Sequence, residues 1–104
     1  MGFDIEKVIG DIAKATADIA SAEGKAVVGL VQGGIESMKE DLEECCKARI
    51  CGEIGDGELS DEIEREKKIL EVELLSAKIV AEAEVQRMLK AVQDIILGAV
   101  KAAL

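Results

Sequence analysis

The sequence predicts an all-α protein, an antiparallel hairpin of two long helices that oligomerises into a four-helix or larger bundle. Three observations lead there. The 104 residues include no Pro and one aromatic residue, Phe3, yet 49% of the chain is hydrophobic. With so much Ala, Leu, Glu and Lys, helix propensity is high almost throughout. Apolar residues recur at helical spacing through both halves, and Gly52, Gly55 and Gly57 break that pattern close to mid-chain.

The length fits a single unit. Its first helical half is expected over 3–51, the Gly-rich turn over 52–59 and the second half over 60–103. The first half opens with a heptad-like stripe of Ile5, Val8, Ile12, Ala15, Ile19, Ala22 and Ala26. A register slip comes next, near Gly24, and a new stripe runs Val28, Val31, Ile35, Met38, Leu42 and Cys45. Ser37 and Glu40 have the spacing of a capping box. This half is therefore either one kinked helix or a helix that breaks near Gly24 or Gly33-Gly34. Breaks at both places would instead give three or four helices in one compact bundle. Gly29 and Gly33 have the small-xxx-small spacing that lets helices approach closely.

In the turn, three glycines supply a helix C-terminus. Ser60 is the expected N-cap of the second helical half, with Asp61 and Glu62 in its first turn. The second half carries the stronger pattern. Leu59 and Ile63 lead into Leu70, Leu74, Ala77, Ala81, Val85, Met88, Val92, Ile96, Ala99 and Ala103, with Glu66 the one charged exception. The 4-3-4 spacing repeats every 11 residues, which keeps a stripe nearly straight along the helix. A single helix of that span is roughly 65 Å long.

Two helices leave much apolar surface uncovered. Ile69, Leu75, Ile79, Val80, Leu89, Ile95, Leu97 and Val100 flank the stripe, and a helix apolar on several sides must bury several sides. Self-association is the expected solution. The assigned oligomer core is Leu70, Leu74, Ala77, Ala81, Val85, Met88, Val92, Ile96 and Ala99.

Charge is unevenly distributed. The chain holds 13 basic and 22 acidic residues, a net −9, and 12 of the acidic ones lie between Glu36 and Glu66 against 4 basic ones. Such a balance argues against nucleic acid, whose binding needs Lys and Arg to displace counterions. The leading reading of the acidic segment is a solvated surface, with docking of a basic protein partner as the alternative. A calcium loop lacks support because Asp56–Glu64 does not match the EF-hand order. The start, MGFDIEKV, shows no secretory signal. The longest uncharged stretch, Ala26–Ile35, is half what a membrane span requires, so membrane insertion is not expected. A cytoplasmic protein or part of an assembled particle is the expectation.

Three cysteines cluster as Cys45, Cys46 and Cys51, and the chain has no His. Three thiols without His or C-x2-C pairs make a poor zinc set. The leading reading is free thiols. An interchain disulfide comes next, with Cys46 and Cys51 as the inter-subunit candidates and Cys45 continuing the core stripe; a metal or redox site comes last. Without His, Ser-His and Cys-His nucleophilic catalysis and E-x-x-H di-iron chemistry are excluded. No cofactor is expected. The sequence reads as a non-enzymatic structural or self-assembly subunit, with an adaptor that docks a basic partner at its acidic tip as the alternative.

Overall fold

The computed structural model describes residues 3–19, 24–77 and 82–104, with side chains from residue 28 onward in the second segment. Asp4 starts the first helix, its carboxylate accepting the backbone N–H of Glu6 at 3.0 Å and of Lys7 at 3.4 Å. This is N-capping, in which a short acidic side chain satisfies amides that have no partner inside the helix. Four helices occupy the described residues: α1 (Ile5–Ile19), α2 (Gly24–Ile50), α3 (Asp56–Ala77) and α4 (Glu82–Ala103).

Cross-helix contacts fix the directions. Lys39 of α2 pairs with Glu6 of α1. Lys67 and Glu71 of α3 meet Gln93 and Gln86 of α4. Residue numbers thus fall on one helix as they rise on the next, so neighbours run antiparallel. α1 packs on α2 and α4, α3 packs on α2 and α4, and α2 also touches α4 across the diagonal. This is an up-down-up-down bundle. Its long axis is 41 Å, close to the roughly 40 Å expected of the 27-residue α2.

The two long helices expected from the sequence are therefore each divided. The second half forms α3 and α4 packed on one another, so no 65 Å helix exists. Ala22, Ile79, Val80 and Ala81 lie outside the described residues, and Gly24, near which the register slip is expected, opens α2. No break occurs at Gly33-Gly34: α2 is continuous there, and the Ser37 hydroxyl donates to the Gly34 carbonyl at 2.8 Å rather than capping a new helix.

The turn between α2 and α3 is a Schellman motif centred on Gly52. The Gly52 amide donates to the Arg49 carbonyl at 3.1 Å and the Glu53 amide to the Ala48 carbonyl at 2.8 Å. Gly52 has φ +82°, a left-handed conformation in which a Cβ is strained. α3 then begins at Asp56, earlier than the sequence suggests. The Gly55 carbonyl accepts the Leu59 amide at 3.1 Å, which puts Ser60 inside the helix rather than at its cap.

The core lies along the axis and is filled from all four helices. Ile12, Ile35, Leu42, Ile63, Leu70, Leu74, Val85, Met88 and Ile96 are essentially inaccessible. The residues assigned to an oligomer core face this chain's own interior instead. Leu70, Leu74, Val85, Met88, Val92 and Ile96 are buried, and Ala77 and Ala99 are half-buried. The same holds for two of the flanking residues, since Leu89 and Val100 are buried as well. Two extra helices within one chain supply the cover that a hairpin would have had to take from a second chain. Within α1, Thr16 rather than Ala15 reaches the core, its hydroxyl donating to the Ile12 carbonyl at 2.8 Å, so no polar atom is stranded there.

Candidate functional site

The Glu6–Lys39 pair sets the first turn of α1 level with the middle of α2. The eleven residues of α2 beyond Lys39 run on past α1 by about 16 Å. With the turn and the start of α3 they form the acidic tip. A groove of about 650 Å³ opens between the two helices there, lined by Asp41, Glu44, Cys45 and Ala48 of α2, Ile54 of the turn, and Glu58, Asp61, Glu62, Arg65 and Glu66 of α3. Small side chains at 45 and 48 leave the space, and six carboxylates border it.

Pairing across this region is one-sided. Lys39 is held by Glu6, Lys47 lies 3.5 Å from Glu43, Arg49 lies 2.6 Å from Asp56, and Arg65 pairs with Glu62. All four cations of the acidic segment are thus engaged. Among the described residues, Asp41, Glu44, Glu58, Asp61 and Glu66 make no ion pair. Asp56 is held below its ordinary range by the hydrogen bond and charge of Arg49. Glu66 is pushed above its own by partial burial and then by the charges of Asp41 and Glu62, with Arg65 working against the shift.

The cysteines separate into three environments. Cys46 is fully buried in the core, Cys45 is half-buried on the groove wall, and Cys51 is exposed in the turn. This reverses the expected roles of the first two. Cys46 packs inside the monomer and has no surface to offer a neighbouring subunit, and of the two candidate inter-subunit thiols only Cys51 is exposed. The Cys46 thiol is pushed well above the ordinary thiol range, by the adjacent Cys45 thiol and by burial. Cys45 is lowered by the adjacent Cys46 thiol, against burial and the carboxylates of Glu62 and Glu66, and its thiol donates to the Leu42 carbonyl at 3.3 Å. Among the described residues, no group of three or more Cys, Asp or Glu is arranged to hold a metal ion.

Close helix approach occurs where the small-residue spacing did not place it. Gly29 and Gly33 face open space, whereas a Cβ on Gly34 would lie 2.8 Å from Leu70 Cδ1 and 3.1 Å from Glu73 Oε2. Gly34 thus seats α3 against α2 and sets the seam from which the groove opens. Two features were missed in the sequence. Glu66, noted only as an exception in the stripe, is a groove residue, and the pairing of Lys39 with Glu6 joins residues 33 apart in the chain.

No described helix is long and apolar enough to cross a membrane. Comparison of the chain with protein-family models, with curated proteins and with solved structures returns no match.

Proposed function

We propose that this chain is a non-enzymatic binding module whose groove between α2 and α3 docks a Lys/Arg-rich segment of a partner protein. One observation carries the reading. Five carboxylates that border the groove lack an ion-pair partner, while every cation of the acidic segment is already taken. A basic helix or strand laid along the groove relieves the repulsion among these carboxylates and gains charge-assisted hydrogen bonds. The test is calorimetric titration with a Lys/Arg-rich peptide at low and at moderate salt. Binding should weaken steeply as salt rises. Combined substitution of Asp41 and Asp61 by Asn and of Glu44 and Glu58 by Gln should abolish it while the helical circular dichroism stays intact. Absence of binding at low salt, or binding indifferent to salt, refutes the reading.

Self-assembly is the second reading, now narrowed to a smaller surface. Ile69, Val72 and Leu75 of α3 are 47%, 63% and 38% exposed, enough apolar area on one helix to favour lateral association. Sedimentation velocity across a concentration series distinguishes the two. A mass that stays at the 11.0 kDa monomer removes the homo-oligomer.

A further inference from the structure

α3 places its core residues at Leu59, Ile63, Leu70 and Leu74, and the position between Ile63 and Leu70 on that face belongs to Glu66. Its side chain borders two spaces at once, the second through its aliphatic stem alone. One is the acidic groove; the other is a small apolar cavity at the heart of the bundle, lined by Ile35, Met38 and Leu42 of α2 and by Val92 and Ile96 of α4. The charged and titratable groups around it are mostly of its own sign. α2 presents Asp41, Glu44 and Cys45 to the groove, and α3 presents Glu62 with Arg65 beside it. Arg65 is already engaged by Glu62, and Lys67, at the edge of the cavity, is held by Glu64 and Gln93. α4 offers the cavity only aliphatic side chains.

We propose that Glu66 is a proton-operated latch on the α2–α3 seam: ionised, it repels Asp41 of α2 across the groove; protonated, it removes that repulsion and tightens the bundle. A neutral carboxyl at this half-buried groove position avoids the desolvation that a carboxylate meets there and removes one charge from the Asp41–Glu62–Glu66 cluster. The upward displacement of the Glu66 carboxyl from its ordinary 4.5, caused by burial, Asp41 and Glu62, agrees with this placement. Linkage gives the sign. The folded state holds this proton more tightly than the unfolded chain does. The stabilisation is therefore complete below about 4.5 and is lost as pH rises through the higher folded value.

Two measurements test the latch. The first is the carbon-detected NMR titration of the Glu carboxyls in the unmodified protein. Glu66 should titrate above 4.5, and a midpoint at or below that value overturns the proposal. The second is the urea midpoint near neutrality and near pH 5 for the wild type, Glu66→Gln and Glu64→Gln. Glu66→Gln should raise the midpoint near neutrality and shrink the gain seen on acidification, whereas Glu64→Gln, at an exposed site, should keep the wild-type gain. A Glu66→Gln protein that gains as much as the wild type overturns the latch, as does one whose midpoint falls near neutrality.

Discussion

Gly33 and Gly34 are adjacent in one helix, and replacing each with Ala should have opposite consequences. In a helix interior, Gly→Ala stabilises by about 1 kcal/mol through backbone entropy alone. At Gly33 nothing lies within 4 Å of the added Cβ, so the full gain should appear. At Gly34 the new methyl would sit 2.8 Å from Leu70 Cδ1 and 3.1 Å from Glu73 Oε2. Leu70 is only 1% exposed, so α3 must move outward or Leu70 must leave its rotamer. Overpacking of this kind costs about 1–3 kcal/mol. The net for Gly34→Ala is then between about zero and 2 kcal/mol destabilising, which sets the two variants about 1–3 kcal/mol apart. In a domain of this size, each kcal/mol shifts the melting temperature by about 4–8 °C, so thermal unfolding followed by circular dichroism resolves the pair easily. Equal stabilisation by the two substitutions would show that α2 and α3 do not meet at Gly34.

Other expectations concern the core, the turn and the thiols. Leu74→Ala, at a fully buried position contributed by α3, should cost about 2–5 kcal/mol in urea unfolding. Gly52→Ala places a Cβ at φ +82° and should destabilise by about 1 kcal/mol or more, whereas Gly55→Ala should not carry that cost. With a thiol-reactive dye, Cys51 should label first and Cys45 more slowly. Cys46 should label only at the rate of bundle opening, so a Cys46 as fast as Cys51 contradicts its burial.

The share of the structure legible in the sequence differs from residue to residue. Composition and period alone give the all-α class, and the larger residues of the stripe, Leu59, Ile63, Leu70, Leu74, Val85, Met88, Val92 and Ile96, are core residues in the structure, because a helix must bury whichever face is apolar. What the stripe does not reveal is where the chain folds. Residues 78–81 are Lys, Ile, Val and Ala, with neither Gly nor Pro to mark a boundary. The 11-residue rhythm also passes through Ala77, Ala81 and Val85 without a missed beat. One long helix and two short antiparallel ones therefore present the same pattern.

The cysteines make the same point at finer scale. At about 100° per residue, Cys45 and Cys46 each lie about 50° from the mean direction of Val31, Ile35, Met38 and Leu42, on opposite sides of it. The pattern of α2 is indifferent between them, and the choice belongs to the neighbouring helices, which bury Cys46 and leave Cys45 on the groove wall. Glycine contacts behave likewise. Spacing singles out Gly29 and Gly33, but only the position of Leu70 on another helix shows that Gly34 is the one without room.

By itself, then, the sequence determined the helical class, the apolar faces, the mid-chain turn and an acidic segment of net −8, because each depends only on residue type and local period. Tertiary structure decided the number of helices, the partner of each face, the burial of Cys46 and the grouping of unpaired carboxylates around one groove. Those depend on contacts between residues far apart in the chain, and the period of a single helix carries no information about what lies across from it.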